Sequence, residues 1–182
     1  GSAAGQLVAE LDRSQPLVAV TGEPFSGKSH LLQAACRARR EAGGGAVYLA
    51  GLSRLEPPVL RGLAGQDLLC IDDVHEVGGH AGWEEGLFHL LNEVTHTGCS
   101  IVFAGLLSAL CLPDLTSRLK SATAVTTDRL ADDDKVVLLR QRAEAQGLDL
   151  APDVAAYVMR RSARDLRSLL SILDALEAAT LE

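Results

Sequence analysis

Short apolar runs alternate with amphipathic segments along the first two thirds of this 182-residue chain. In one run, residues 68–71, every position is apolar, which predicts a strand buried on both faces, as in a parallel sheet. In the segment 83–96, Leu87 and Leu91 fall on one stripe, which predicts an amphipathic helix. The whole pattern predicts strands at residues 16–21, 46–50, 67–74, 100–105 and 122–127, with helices at 3–12, 29–42 and 83–96 and short ones within 52–65 and 113–120.

Beyond the last predicted strand the alternation ends and only helical periodicity follows. The three segments that carry it are residues 132–146, 152–161 and 163–181. A strand that recurs after each helix is typical of an α/β fold with a parallel sheet. We therefore predict an α/β core with a five-stranded parallel sheet over residues 1–128 and a small all-helical subdomain over residues 129–182.

Composition and charge narrow the class of protein. The net charge of −7 argues against bulk electrostatic binding to nucleic acid or to an anionic membrane. The chain contains no apolar stretch of the roughly 20 residues that a membrane span needs, and we expect no secretory signal. The four cysteines are widely spaced without a C-x-x-C pair, so we predict buried, reduced thiols in a cytoplasmic protein. Gly1 and Ser2 have the form of a remnant of tag removal, so we expect part of the natural N-terminus to be missing.

The first candidate site follows the first predicted strand. Residues 22–29 fit G-x-x-x-x-G-K-[ST], the phosphate-binding P-loop, and a predicted helix follows them. Backbone N–H groups at such a helix N-terminus bind anions, while Lys28 would reach the β- and γ-phosphates and the Ser29 hydroxyl would bind Mg²⁺. The simpler alternative is a Gly/Ser/Pro turn before a helix. The predicted nucleotide-binding residues here are Gly22, Pro24, Phe25, Ser26, Gly27, Lys28, Ser29 and His30.

Two carboxylates follow the third predicted strand. Four apolar residues that end in acid describe a Walker B strand, in which Asp72 would bind Mg²⁺ directly or through water. Asp73 comes next, where a carboxylate can orient or polarise an attacking water as a base. The alternative is that one aspartate caps the loop by bonding to its backbone.

Two arginine segments are the remaining candidates. Arg118 lies in residues 112–119, on a short predicted helix between two strands, and Arg164 lies in residues 160–167, which hold four arginines. Each could be an ordinary solvated residue. Each could also bring a guanidinium to phosphate oxygens, which its forked geometry matches.

Taken in order, these segments resemble the AAA+ family and, within it, the DnaA/Hda branch. The resemblance rests on residues 27–32 after the loop, 70–73 in the Walker B strand, 112–119, which are close to the family's box VII pattern, and the helical segments 130–135 and 164–169. The chain is most similar to the Hda group, the DnaA regulatory inactivators, because no helix-turn-helix segment follows the helical subdomain.

The resemblance implies an AAA+ P-loop core with a C-terminal helical lid, bound ADP or ATP with Mg²⁺, and a role in shutting off replication initiation. It makes Arg118 an arginine finger that acts in trans on the ATP of DnaA, and Arg164 the sensor 2 residue on the chain's own nucleotide. The implied partners are DnaA, the β sliding clamp through an N-terminal motif that this sequence lacks, and a second copy in a dimer. No membrane and no direct sequence-specific binding to DNA are expected.

Two features give opposite expectations for the chain's own ATP hydrolysis. The sensor 1 position at residues 104–107 offers no polar side chain, which disfavours hydrolysis, whereas the acid at Asp73 favours it. The alternative function is a self-assembling AAA+ ATPase that acts as an initiator or a helicase-loader-type remodeller. A small-molecule kinase is disfavoured, because it would place its extra helices between the core strands, whereas here they follow the last strand. A pure scaffold is disfavoured, because it would not need an intact Gly27-Lys28-Ser29.

Overall fold

The computed structural model describes residues 2–12, 17–24 and 26–127 and, further along, residues 136–137, 140, 143–144 and 150–161. The chain divides into two compact units. Residues 1–22 and 28–127 form the first unit, and residues 23–27 together with 128–182 form the second.

The first unit is built on a five-stranded parallel sheet, which confirms the predicted α/β class. The strands are β1 (Leu17–Gly22), β2 (Ala46–Leu49), β3 (Leu68–Ile71), β4 (Ser100–Ala104) and β5 (Thr123–Thr127), in the spatial order β2-β3-β4-β1-β5. All four strand pairs are parallel, and Val18 of β1 lies opposite Val102 of β4 and Thr123 of β5. Because the strands run the same way, all their carboxyl ends meet at one edge of the sheet.

Four helices accompany this sheet. They are α1 (Ala3–Asp12), α2 (Lys28–Glu41), α3 (Ala81–Thr97) and α4 (Pro113–Lys120). The single helix predicted within residues 52–65 is wrong, because the structure forms three short 3₁₀ turns there, Leu52–Arg54, Pro57–Leu60 and Leu63–Gly65. Pro57 and Pro58 lack the N–H groups that would continue a helix, and Gly62 adopts a left-handed φ of 75° that interrupts it.

The sheet separates two apolar layers. On one face, α3 and α4 pack against Leu69 and Ile71 of β3, and on the other face α2 packs against Leu68 and Cys70 while α1 contacts β5. All four residues of β3 are buried, as their uninterrupted apolar character predicts. The strand is shorter than predicted, so Asp72 and Asp73 lie just beyond it.

The four cysteines carry free thiols. Cys36, Cys70 and Cys99 are buried, whereas Cys111 is exposed. Burial was therefore predicted correctly for three of them.

In the second unit, the described part of the chain contains the helix α5 (Pro152–Arg161), in agreement with the prediction for residues 152–161. Residues 136–137, 140 and 143–144 are also helical, within the helix predicted for residues 132–146. The helix predicted for residues 163–181 lies outside the described residues. Across the described residues, every helix is too short or too polar to cross a membrane.

Candidate functional site

The glycine-bounded loop connects a strand to a helix, as predicted. β1 ends at Gly22 and α2 begins at Lys28. Gly22 has a φ of 143° and Gly27 a φ of 90°, conformations that a residue with a side chain rarely adopts. Within the loop, the N–H of Ser26 donates to the carbonyl oxygen of Glu23 at 3.2 Å. The order of strand, glycine-bounded loop and helix that a phosphate-binding loop requires is therefore present.

The lysine that follows the loop folds back onto β1. Its Nζ donates a hydrogen bond to the carbonyl oxygen of Gly22 at 3.0 Å. Ser29 lies next to it in the first turn of α2 and is half-buried, and His30 is exposed. Pro24 is exposed in the loop, and Phe25 lies outside the described residues. The Lys28 ammonium therefore lies at the carboxyl end of β1.

Asp72 is held by a small polar network at the end of β3. The side chain is 2% exposed, and its Oδ1 accepts the N–H of Asp73 at 3.0 Å. Its Oδ2 accepts a hydrogen bond from the hydroxyl of Tyr48 at 2.8 Å. The Tyr48 oxygen in turn accepts a hydrogen bond from Nε2 of Gln33 at 3.3 Å. Burial, foremost, raises the pKa of Tyr48 to about 12, and its bond to Asp72 acts in the same direction. The phenol therefore stays protonated and orients Asp72 as a donor.

Asp73 adopts an unusual backbone conformation. Its φ of 48° and ψ of 47° make it left-handed, which is uncommon for a residue other than glycine and is associated with functional sites. Burial raises the pKa of the Asp73 carboxyl, and the negative charge of Asp72 adds to this. Smaller opposing effects come from His75, whose Nδ1 lies 3.9 Å from Oδ1 of Asp73, and from the charge of Lys28. The first unit therefore brings Lys28 and the two carboxylates to one edge of the sheet.

The donors at this edge suit a magnesium ion. Mg²⁺ prefers hard oxygen ligands and is commonly held by one or two carboxylates together with water and substrate phosphates. Asp72 keeps a second lone pair on each oxygen beside its bonds to Tyr48 and Asp73. Among the described residues, no group of three or more His, Cys, Asp or Glu side chains forms a metal site. Any Mg²⁺ would thus depend on few protein ligands, with Asp72 and Ser29 as the candidates.

The strand next to β3 ends without a polar side chain. β4 finishes at Ala104, and Gly105 follows with a φ of 137°. A Cβ on Gly105 would lie 2.8 Å from the backbone nitrogen of Val74 and 3.1 Å from Nδ1 of His75. Glycine is required here because the segment after Asp73 packs directly against it.

Arg118 lies at the other edge of the sheet. Its side chain is exposed on α4, and its guanidinium carbon lies 5.2 Å from the centre of the Phe88 ring. It borders a cleft of about 210 Å³ that is also lined by Leu17 and Thr123, the first residues of β1 and β5. Since β1 has six residues and a strand rises roughly 3.3 Å per residue, this edge is about 17 Å from the edge that holds Gly22. Arg164, the other predicted arginine, lies outside the described residues.

Sequence reasoning missed Glu84, a buried acid in the first turn of α3. The residue is 2% exposed, and its Oε1 accepts the N–H of Gly79 at 2.7 Å. Both carboxylate oxygens accept the N–H of Cys111, at 2.9 and 3.0 Å, and Oε2 also accepts the N–H of Leu112. Burial acts to raise the pKa of Glu84, but the three N–H donors outweigh it and leave the pKa lowered. An acid near a helix start is common, so nothing in the sequence distinguishes Glu84 from other acids in such positions.

Two family models match the chain. The model described as "Hda, lid domain" matches residues 132–182, and the model of the bacterial DnaA ATPase domain matches residues 59–127. The second match covers β3, α3, β4, α4 and β5, and thus Asp72, Asp73 and Arg118.

Solved structures with the same fold include DnaA and RuvB proteins. Domain III of the Thermotoga maritima replication initiation protein DnaA is 24% identical, with a TM-score of 0.72 over 92% of this chain and 77% of that one. AMPPCP-bound DnaA from Aquifex aeolicus is 19% identical, with a TM-score of 0.65 over 94% of this chain and 62% of that one. The Thermotoga maritima RuvB Holliday junction branch migration motor is 16% identical, with a TM-score of 0.66 over 94% of this chain and 59% of that one. The chain therefore corresponds to only part of the Aquifex and RuvB proteins.

Proposed function

We propose that this chain, which is an AAA+ protein of the DnaA/Hda type, is a nucleotide-bound regulator of bacterial replication initiation that stimulates ATP hydrolysis by DnaA. In this proposal Arg118 is the arginine finger that the chain offers to the ATP of DnaA. The observation that carries it is the position of Arg118, exposed at the amino edge of the sheet, about 17 Å from the edge that holds the chain's own phosphate loop. A guanidinium there is available to a neighbouring molecule and not to the chain's own nucleotide.

The chain's own nucleotide, ADP or ATP, would bind at the carboxyl edge. Lys28 would exchange the Gly22 carbonyl for phosphate oxygens, and the N–H groups of the loop around Gly27 would complete the anion site. Ser29 and Asp72 would hold Mg²⁺, which supplies charge neutralisation at the phosphates when bound. Binding of AMPPCP by the Aquifex DnaA supports this assignment. Arg164, as the sensor 2 residue of the lid, would contact the same nucleotide.

Weak ATP hydrolysis by the chain itself is part of the proposal. In this proposal Asp73 would accept a hydrogen bond from an attacking water, and the raised pKa of its carboxyl supports a role as a base. The neighbouring strand contributes no second polar group, because it ends in Ala104 and Gly105. One orienting group in place of two would leave the water loosely held, so hydrolysis by the chain itself would be slow.

A self-assembling AAA+ ATPase of the initiator or helicase-loader type is the second candidate. The left-handed conformation of Asp73 beside the buried Asp72 favours it, since strain of this kind is associated with catalytic carboxylates. It predicts ATP-dependent oligomers whose turnover disappears in Asp73→Asn. The regulator instead predicts a monomer or a dimer with bound ADP and slow turnover.

The deciding experiment measures hydrolysis by ATP-bound DnaA while this protein and DNA-loaded β sliding clamp are titrated. The sample is the full natural protein, because binding to the clamp is part of the proposal. Arg118→Ala should lower the stimulated rate by roughly 10³-fold, as loss of a finger supplied in trans does. Lys120→Ala, another exposed basic residue of α4, is the matched control and should keep the rate. Full stimulation by Arg118→Ala, with its ADP affinity intact, would refute the finger.

A further inference from the structure

The helix that carries Arg118, α4, lacks a capping side chain at its N-terminus. α4 contains eight residues, and its N-cap is Leu112, whose side chain makes no capping hydrogen bond. Pro113 fills the first helical position and donates no N–H. A helix of two turns is not stable in isolation, so its position depends on what packs against it and on what satisfies its first turn.

Glu84, which lies on α3, provides a hydrogen-bond acceptor for the backbone just before α4. Its carboxylate accepts the N–H groups of Cys111 and Leu112, the two residues before Pro113, and it does so from a site that is 2% exposed. Hydrogen bonds to a charged acceptor out of water are stronger than neutral ones. The negative charge also lies at the N-terminus of α4, where the helix dipole favours it.

The same helix face also contacts the other end of α4. Phe88 lies one turn after Glu84 on α3, and its ring lies beneath the guanidinium of Arg118 at 5.2 Å. Between these two contacts, Leu115 and Leu119 of α4 are buried in the core. Thus α3 contacts the segment that leads into α4 through Glu84 and the last turn of α4 through Phe88.

A further hydrogen bond of Glu84 reaches the segment that follows Asp73. The Oε1 atom of Glu84 accepts the N–H of Gly79, six positions beyond Asp73 in the chain. The neighbouring Gly78 packs so closely on the backbone of Ala109, just before Cys111, that no side chain would fit there. One carboxylate therefore joins the segment after Walker B to the segment before α4.

We propose that Glu84 is the positioning residue of Arg118: it fixes Cys111 and the N-cap residue Leu112, and thereby the start of α4, so that the guanidinium is presented in one place. The proposal rests on the proposed function, because it assumes that Arg118 acts on a partner's phosphates. If the Glu84 carboxylate only stabilised the fold, its substitution would lower stability and every activity together. If Glu84 positions Arg118, its substitution lowers the stimulated kcat and has no effect on kcat once Arg118 is removed.

The test compares Glu84→Gln with Glu85→Gln, a matched control because Glu85 is the exposed neighbour on the same helix. With ATP-bound DnaA as substrate, Glu84→Gln should lower the maximal stimulated rate at least tenfold and leave the half-saturating concentration of the chain unchanged. In the Arg118→Ala background the same substitution should cause no further loss. An unchanged rate in Glu84→Gln, or an equal loss on top of Arg118→Ala, would overturn the positioning role.

Amide exchange of Leu112 in the isolated chain gives a readout that does not involve DnaA. Exchange should accelerate about tenfold or more in Glu84→Gln, since the amide loses a charged acceptor. Emission of Trp83, the single tryptophan, should stay constant if α3 keeps its packing. Unchanged exchange of the Leu112 amide refutes the proposal. Full stimulation by Arg118→Ala would instead refute the role of Arg118 as a finger. The exchange rate would then still decide whether Glu84 fixes the start of α4. If Glu84→Gln does not fold, Glu84→Asp, which keeps the charge but shortens the reach, decides by the same two measurements.

Discussion

The two edges of the sheet hold their charged groups in different ways. At the carboxyl edge, Asp72 is buried and bonded to Tyr48, and Lys28 is bonded to the carbonyl of Gly22. At the amino edge, Arg118 is exposed, and its guanidinium lies over the ring of Phe88. The carboxyl edge is thus organised to receive a ligand among fixed groups, whereas the amino edge presents a charge outward from a helix that is itself held in place. In the proposed function, this difference lets one sheet serve two nucleotides on two molecules.

The largest expected effect separates the edges directly. Lys28→Ala removes the ammonium at the carboxyl edge and should weaken binding of ADP or ATP roughly a thousandfold, about 4 kcal/mol. Isothermal titration with the purified chain measures this. Arg118→Ala, whose residue lies at the amino edge, should bind with the affinity of the original protein. Equal loss in both variants would mean that the edges do not serve separate sites.

The next prediction tests the close packing behind the carboxyl edge. Gly105→Ala places a Cβ 2.8 Å from the backbone nitrogen of Val74, at a φ of 137°. Because neither backbone can yield easily, we expect the free energy of unfolding to fall by about 3 kcal/mol. Gly62→Ala is the matched control: its φ is also positive, 75°, but nothing lies within 4 Å of the new atom. It should cost only about 1 kcal/mol, and chemical denaturation distinguishes the two variants. Similar costs would show that the contact with Val74 yields.

The edges also differ in how much of them could be predicted from sequence. Gly22, Lys28 and Asp72 follow their strands directly, so strand and loop patterns suffice to put them at one edge. Tyr48 is different, because it reaches Asp72 only through the pairing of β2 with β3, which local patterns do not specify. The amino-edge position of Arg118 likewise follows from the strand order and from where α4 packs. Sequence reasoning therefore found the residues that chain neighbours define and missed those that tertiary contacts define.

Glu84 is the clearest case of this limit. Its partners Cys111 and Leu112 lie 27 and 28 positions away, and they bond through backbone N–H groups that every residue but proline has. No residue type in the partner segment indicates the contact. Glu84 is recognised only by its burial in the structure, because a buried acid is rare and requires hydrogen-bond partners.

The pH dependence of stability provides the third prediction. Glu84 has a lowered pKa in the folded chain, so it stabilises the fold above the ordinary carboxyl pKa of about 4.3, and this contribution is lost as the pH falls through the lowered value. At pH 7, Glu84→Gln should unfold more easily by about 2 kcal/mol, and the difference should shrink as the pH falls below about 4. Urea denaturation at several pH values measures this. A difference that stays constant with pH would show that the carboxylate charge is not what the N–H groups of the α4 start require.

The smallest expected effect concerns the ring beneath Arg118. Phe88→Leu keeps an apolar side chain on α3 but removes the aromatic face that lies 5.2 Å from the guanidinium. A cation–π contact at an exposed site contributes about 0.5–1 kcal/mol, so the stimulated rate should fall only about two- to fivefold if the ring helps to orient Arg118. Glu85→Gln, at an exposed position of the same helix, is the control for a change on α3. If the ring acts only through the guanidinium, Phe88→Leu should have no effect in the Arg118→Ala background. A loss that persists there would mean that Phe88 contributes to the amino edge by packing alone, and that Arg118 takes its orientation from the helix that Glu84 holds.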